Sequence, residues 1–328
     1  MSLDYHLFDA DTSTRCSASR CLSMNEIVSR SKKNSYGSRK QVEILFRSRQ
    51  SIKLKISRLL PSLKISLIGS GMIQDYTVLP SLVGFLFPTN WFRWKESKIF
   101  YLAERESFIS LLANQVIESQ ELYYYLHQEM LDAEIYKHHY EQMGTLIDYL
   151  KENLPPGEET DFKISRIQAL ESQSKIKSMV LNNDFKDTLP LLAHIIALDV
   201  EEDWDNNSIE SIPLPKLETI DEMDFRPYYV DIIEKSHEVK ALKYLQIASK
   251  YSRKSRMFEF LSPLGGTDSS LGYGYLSSLK IEKSNLKTLQ IKEEETSSLL
   301  KVNIHAQVLN HNASKLAYLE TLKGRQAA

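Results

Sequence analysis

The chain has 328 residues, of which 42% are hydrophobic and 26% are charged. This apolar content excludes wholesale disorder and is enough for one large domain or two ordinary ones. With 41 Lys and Arg against 43 Asp and Glu, the net charge of −2 argues against a dedicated nucleic-acid-binding protein, which normally carries a basic excess. Only 11 Gly and 10 Pro are present, about half the usual share, which predicts few turns and long secondary-structure elements.

The N-terminal residues 1–24 are polar and show no period, so we expect an irregular leader. They lack a basic segment followed by an apolar one, and no signal peptide is visible. Both cysteines, Cys16 and Cys21, lie here without partners at the spacing of a zinc site. The sequence also lacks the run of about 18 apolar residues that a membrane-spanning helix needs. Taken alone, these features indicate a cytosolic protein.

The first periodic segment predicts a helix from about Asn25 to Leu59. Its apolar residues recur at three- and four-residue steps, with Arg and Lys between them. Pro61 ends the pattern, because proline has no amide hydrogen for the helical hydrogen bond. Between Pro61 and Pro88, β-branched and aromatic residues with partial alternation predict a pair of strands.

The longest uninterrupted segment runs from Trp91 to Asn153 and contains no proline. At 1.5 Å per residue it predicts a helix of about 95 Å. Its near-heptad apolar pattern predicts pairing with other helices, without which so long a helix is unstable. After a turn at 154–157, a third helix is predicted from Phe162 toward Asp199, kinked or broken at Pro190. The two helices should form a long antiparallel hairpin.

The order of elements then repeats. A helical pattern beginning after Pro227 ends in a basic segment at Lys254–Arg256, about 198 positions after the similar segment at Ile56–Arg58. The stretch Gly265–Leu276, rich in Gly and Tyr, predicts a second pair of strands, followed by a helix from about Lys280 to Leu322. The predicted organisation is an irregular leader at 1–24, a first repeat of helix, strand pair and helical hairpin at 25–203, a linker at 204–227, and a second repeat at 228–328 that is incomplete at its C-terminus.

Four segments carry a resemblance to a known family: Arg58–Ser66, Thr160–Gln173, Glu238–Pro263 and Ser270–Leu286. Together with the repeated order, they resemble the TolC-like outer-membrane efflux protein family, from about Asn25 to the end of the chain. The resemblance implies a mainly α fold with a minor β part, in which long antiparallel helical hairpins form a tunnel across the periplasm. It also implies that each protomer gives four strands to one twelve-stranded transmembrane barrel. Closure of such a barrel pairs its backbone polar groups without any apolar helix.

The function implied by the resemblance is that of a passive export channel. It would be a homotrimer in the outer membrane of a Gram-negative bacterium, in contact with outer-membrane lipid and extending into the periplasm. A periplasmic adaptor protein would couple it to an inner-membrane pump, in a tripartite efflux pump or a type I secretion system. By the same comparison the last helix should continue and return through another helix, so we expect a shortened chain. The alternative is a soluble coiled-coil scaffold or interaction protein.

Three acidic residues, Glu158, Glu159 and Asp161, follow the predicted hairpin turn. In a trimer they would form an acidic ring at the periplasmic entrance, which would favour cations and offer a docking surface to the adaptor. The alternative is a solvated turn in which Asp161 caps the following helix.

Three aromatic residues, Trp91, Phe92 and Trp94, flank the junction between the first strand pair and the long helix. In a barrel protein this position lies near the periplasmic membrane interface, where amphipathic rings are favoured. The alternative is ordinary packing between helix ends.

No pattern of residues predicts catalysis, a cofactor or a metal site. The glycines of Gly69–Gly71 fit a strand turn better than a dinucleotide-binding loop, because Gln74 stands where that fingerprint needs a small residue. His127, His138 and His139 lie on the long helix without other converging ligands. We therefore expect no enzyme activity.

Overall fold

The computed structural model describes residues 22–60, 84–198, 209, 224, 229–259 and 273–327. Its helices are α1 (Met24–Asn34), α2 (Tyr36–Ser57), α3 (Pro88–Asn153), α4 (Glu158–Ile195), α5 (Tyr229–Lys235), α6 (His237–Met257) and α7 (Tyr273–Ala327), with a 3₁₀ turn at Gly84–Leu86. Within the described ranges, an isolated parallel bridge joins Leu22 and Ile209. The predicted strands lie almost entirely outside these ranges. Among the described helices, none carries an apolar stretch long enough to cross a bilayer.

The described residues pack as two compact units, of which the first comprises those within 1–39 and 112–215. In this unit α3 and α4 form the predicted antiparallel hairpin. Ser178 Oγ donates to the Ala133 carbonyl at 3.0 Å. The side chains of the hairpin and of α1 pack together in an apolar core. The largest members of that core are Ile27, Tyr123, Leu126, Phe185, Leu192 and Ile196.

Helix α4 passes through Pro190 and ends near Ile196, so the proline does not break it. The amide of Leu198 donates to the Ala193 carbonyl at 2.8 Å, which closes the last turn in the manner of a Schellman motif. Ala197 takes the left-handed conformation that this motif requires, with φ of 50°. Glycine is the usual residue at such a position, because a Cβ atom disfavours positive φ.

The second unit comprises the described residues within 40–111 and 216–328. Here α6 packs against α7 and against the first half of α3. Gln246 Nε2 donates to Glu293 Oε2 at 2.6 Å, and Ser110 Oγ donates to Glu238 Oε1 at 3.0 Å. The buried residues of this unit are mostly small, which lets helix axes approach closely. They include Ser48, Thr89, Ala103, Ala241, Ala248 and Ser255.

The helix predicted at 25–59 is in fact two helices, because the chain breaks at Ser35. The Ser35 hydroxyl accepts from the amide of Ser38 at 3.2 Å and donates to Gln115 Oε1 at 2.8 Å. The break therefore depends on a contact with a residue 80 positions away. A second break at Ser236 separates α5 from α6, where the sequence indicates one continuous helix.

The second strand prediction is partly wrong. Helix α7 begins at Tyr273, so the last four residues of the predicted strand segment 265–276 are helical. Tyr275 explains the difference, because its hydroxyl donates to the Met257 carbonyl at 2.9 Å and holds this turn against the end of α6. Such packing overrides the β propensity of tyrosine.

Helix α3 begins at Pro88, three residues before the predicted start at Trp91, because proline is well suited to the first helical position.

Candidate functional site

The end of the α3–α4 hairpin carries the three predicted acidic residues. All three lie in the first turn of α4 and are exposed. The prediction that Asp161 caps the helix is wrong. The helix begins at Glu158 with Gly157 at the cap position, and the Asp161 amide donates to the Gly157 carbonyl at 3.0 Å. Acidic side chains in a first turn are favourable there because they face the positive end of the helix dipole.

The acidic residues of the hairpin end are not equivalent. Lys163 Nζ donates to Glu159 Oε1 at 2.6 Å, and this hydrogen bond and charge lower the pKa of the Glu159 carboxyl. The charge of Glu159 is thus offset by a lysine one turn further on. The i, i+4 spacing of Glu159 and Lys163 is visible in the sequence, but its effect on the acidic group was not anticipated. Glu158 and Asp161 supply the uncompensated charge.

Four helix ends converge in the second unit, where α2 and α6 end and α3 and α7 begin. Arg93 Nη2 of α3 lies 2.5 Å from Glu259 Oε1, just after α6. Ser252 Oγ of α6 donates to Glu282 Oε1 of α7 at 3.4 Å. The end of α2 joins the group because a Cβ atom at Gly84, just before α3, would clash with the carbonyl oxygen of Arg58.

The three predicted aromatic residues lie at this junction but differ in their surroundings. The Phe92 ring stacks on Phe258, with centroids 5.6 Å apart, and so packs helix ends together. Trp91 is 42% exposed, and its indole N–H donates to the Phe85 carbonyl at 2.6 Å. Trp94 meets Trp91 edge to face, with centroids 5.9 Å apart. Trp91 is therefore the exposed residue of the three, whereas Phe92 and Trp94 are half-buried.

The same junction is strongly basic. Five Lys or Arg lie within residues 47–58, three within 88–98, four within 250–259 and two within 273–283. Each of the last three ranges also contains one acidic residue, and the first contains none. We call these charged residues the basic collar. The three acidic residues, Glu96, Glu259 and Glu282, are each partly buried, whereas twelve of the fourteen basic residues are exposed. The exposed charge of the collar is thus entirely positive.

The ionisation of two collar residues reflects this environment. Burial lowers the pKa of Lys55, and the neighbouring charges of Arg58 and Arg93 lower it further. Burial raises the pKa of Glu96, although Lys55 opposes the change. The basic segments at 56–58 and 254–256 are visible in the sequence. Their convergence is not, because it depends on how four distant helix ends pack.

An apolar groove of about 410 Å³ adjoins the collar. It is lined by Phe85, Leu86, Pro88, Trp91, Phe92 and Lys95. Phe85 and Leu86 are 50% and 59% exposed. The start of α3 therefore presents apolar surface and positive charge side by side.

Helix α7 carries an exposed apolar stripe in its C-terminal half. Its 55 residues span about 83 Å, whereas α6 with 21 residues covers about 32 Å of it. No described side chain of α7 is fully buried. The stripe follows alternating three- and four-residue steps, the spacing of a coiled-coil seam. Its members, all exposed, are Leu299, Val302, Ala306, Leu309, Ala313 and Leu316.

Comparison with known proteins identifies the fold. No family model matches the sequence, and no curated protein is significantly similar to it. The structure is similar to the open-state crystal structure of the MtrE outer membrane channel of Neisseria gonorrhoeae, with a TM-score of 0.75 at 11% identity over 93% of this chain and 76% of that one. The chain has the TolC-like fold.

Two further solved structures agree. The CmeC outer membrane channel of Campylobacter jejuni gives a TM-score of 0.70 at 12% identity, covering 92% of this chain and 73% of that one. The outer membrane protein VceC of Vibrio cholerae gives 0.67 at 10% identity, covering 93% and 82%. The fold expected from the resemblance is therefore confirmed for the long helical hairpins. The predicted strand pairs lie outside the residues that the structure describes, apart from their ends.

Proposed function

We propose that this chain is one protomer of a homotrimeric export channel in the outer membrane of a Gram-negative bacterium, extending into the periplasm. The observation that carries the proposal is the likeness in fold, over 92–93% of the chain, to three solved outer membrane proteins, two of which are described as channels. The channel is passive, and no residue of the chain acts chemically on the exported molecule.

The exposed stripe of α7 supports the trimer. Six small or aliphatic side chains in coiled-coil register are costly to leave in water, since each buried CH₂ group contributes about 0.8 kcal/mol. A neighbouring protomer in a closed ring covers such a stripe on every copy. Ala306 and Ala313 at alternate positions allow that helix to approach closely.

In this proposal the strands of the barrel come from the two predicted strand pairs. Each follows a helix that ends in the basic collar and precedes a helix that begins there. Four strands from each of three protomers give a closed barrel of twelve, within the range of known transmembrane barrels. Trp91 and Trp94 then lie at the periplasmic membrane interface.

The hairpin end forms the periplasmic entrance in the same arrangement. Glu158 and Asp161 supply its negative charge, with Glu159 partly neutralised by Lys163. Here the channel meets a periplasmic adaptor, which couples it to an inner-membrane pump of an efflux or type I secretion system. The order of the chain supports this assignment, because the 66-residue helix α3 begins in the basic segment at 88–98 and the acidic turn follows its last residue.

The test is to express the full chain behind a cleavable export signal in a Gram-negative host. The expected product fractionates with outer membranes and is extracted by detergent as a trimer of the 37.9 kDa chain. Its migration in a gel should change on heating, its circular dichroism should include a β signal, and it should conduct ions in planar bilayers. A soluble, wholly helical product would overturn the proposal and favour the coiled-coil scaffold.

A further inference from the structure

The basic collar has more positive charge than the helices themselves require. Cations at the ends of α2 and α6 are favourable because they face the negative ends of the helix dipoles. The same argument predicts acidic residues at the starts of α3 and α7, yet Arg93, Lys95 and Lys98 occupy the first turns of α3. Helix capping therefore explains only part of the charge.

The collar also has few internal counterions, three acidic against fourteen basic residues. Glu259 is held by Arg93 and Arg256, at 2.5 and 2.9 Å. Glu96 and Glu282 are partly buried among the helix ends. Apart from Arg256, the described contacts give the exposed lysines and arginines of the collar no acidic partner. Burial lowers the pKa of Lys55, and repulsion from Arg58 and Arg93 lowers it further, so negative charge from outside the chain would stabilise the collar.

A ligand that binds both the basic collar and the apolar surface beside it has to be anionic and partly apolar. The exposed side chains of Phe85 and Leu86 line a groove together with Lys95, and Lys254 lies 5.9 Å from the ring centroid of Phe92 in the same groove. A nucleic acid or free phosphate would use the charge and leave this apolar surface in water. A phospholipid uses both, with its phosphate at the lysines and its acyl chains against the aromatic and aliphatic side chains.

The geometry points to the basic collar as a binding surface for anionic phospholipid at the periplasmic face of the membrane. This inference rests on the proposed function, since it requires that residues next to the collar enter a bilayer. Lys53 of α2 and Lys250 and Arg253 of α6 are among its available cations, because all three are exposed and the described contacts give them no acidic partner. They hold the head groups, while Trp91 and Trp94 lie at the level of the upper acyl chains.

Tryptophan quenching by brominated lipids tests the inference on the purified trimer in detergent. The chain contains three tryptophans, so the substitution Trp204→Phe leaves a signal from Trp91 and Trp94 alone. Dibrominated phosphatidylglycerol should quench this signal at lower mole fraction than dibrominated phosphatidylcholine. The preference should weaken between 50 and 500 mM NaCl, because salt at about 0.5 M screens charges within a few ångströms.

The decisive variant is Lys53→Gln/Lys250→Gln/Arg253→Gln. It should lower the preference for phosphatidylglycerol at least about fivefold, because each basic residue near an anionic surface strengthens binding by about fivefold. The matched control, Lys287→Gln/Lys292→Gln/Lys301→Gln, removes three exposed lysines of α7 outside the collar and should leave the preference unchanged. Both variants should keep the helical circular dichroism of the parent.

Three outcomes would overturn the inference. They are equal quenching by the two lipids, an unchanged preference in the collar variant, or a 20-nucleotide DNA that displaces phosphatidylglycerol at equal phosphate concentration. A trimer that forms and conducts but shows no lipid preference would refute the collar alone. Failure to obtain a membrane-extracted trimer would refute the proposed function as well.

Discussion

Arg93 and Glu259 join the start of α3 to the end of α6 through an ion pair of 2.5 Å. Arg256 binds the other carboxylate oxygen of Glu259 at 2.9 Å, and this contact raises the pKa of the arginine. One carboxylate thus links two arginines from different helices within a surface whose other exposed charges are positive. Removal of the Glu259 carboxylate would leave both arginines without this partner among the positive charges of the collar.

We predict that Glu259→Gln destabilises the protein by about 1–2 kcal/mol, because the pair is largely shielded from water and the repulsion around it is uncompensated. The melting temperature, followed by circular dichroism, should fall by about 2–4 °C. The control is Asp231→Asn, which breaks the exposed pair between Asp231 and Lys235 on α5. Such a pair contributes at most about 0.5 kcal/mol. Equal effects of the two variants would show that Glu259 has no special role.

The sequence was sufficient to predict the long helices. Few glycines and prolines and a steady three- and four-residue apolar spacing place α3 to within three residues of its observed start. Both signals are local, as is the turn at 154–157. The breaks at Ser35 and Ser236 were missed because serine is compatible with a helix, and the break at Ser35 depends on Gln115.

The functional surfaces were predicted less completely. Acidic residues after a turn and tryptophans at a junction are visible as local patterns. The basic collar and the stripe of α7 depend on which side chains remain exposed after packing, and no local pattern reports this. Tyr273–Leu276 shows the same limit, since a contact between Tyr275 and Met257 decides its conformation.

Glu129 should make stability depend on pH. Its side chain is almost fully buried in the hairpin, with one carboxylate oxygen unpaired among the described residues. Burial raises its pKa, and the nearby charge of Asp184 adds to the effect, whereas hydrogen bonds from Tyr125 and Thr188 oppose it. A raised pKa means that the folded state binds the proton more tightly than the unfolded state does. The stabilisation is complete below the unfolded pKa of about 4.3 and is lost as pH rises through the folded pKa.

We therefore predict that Glu129→Gln, which mimics the protonated form, raises the melting temperature at pH 7.5 and has little effect at pH 4. The measurement is the difference in melting temperature between variant and parent across this range. Asp184→Asn should reduce the pH dependence of the parent, because it removes the neighbouring charge. A difference that stays constant with pH would contradict the assignment.

The stripe of α7 predicts the effect of a charge on assembly. Leu309→Glu places a carboxylate at the centre of the stripe and should convert most of the trimer to monomer, since an unpaired buried charge costs several kcal/mol. Gln307→Glu adds the same charge two residues away on an exposed position off the stripe and should leave the trimer intact. Light scattering on the detergent-extracted protein measures the mass directly. Trimer loss in both variants would indicate a general charge effect.

The acidic hairpin end predicts the ion selectivity of the channel. In the proposed trimer, Glu158→Gln/Asp161→Asn removes six carboxylates from the entrance and should shift the reversal potential in a salt gradient toward that of a non-selective pore. Glu159→Gln should have a smaller effect, because Lys163 already offsets its charge. If Glu159→Gln shifted the potential as much as the double variant, the entrance would not be organised as the ion pair indicates.

Gly84 provides the most direct test of how closely the collar is packed. A methyl group there would clash with the carbonyl oxygen of Arg58, which is backbone and cannot move aside as a side chain can. Gly84→Ala should therefore destabilise the protein by about 1–3 kcal/mol, the usual cost of overpacking. The matched control is Gly274→Ala in the first turn of α7, where nothing lies within 4 Å of the added methyl group. That change should be neutral or stabilising by up to about 1 kcal/mol, because alanine favours the helix. Chemical denaturation of both variants measures the two effects, and a neutral Gly84→Ala would mean that the end of α2 does not lie against the start of α3.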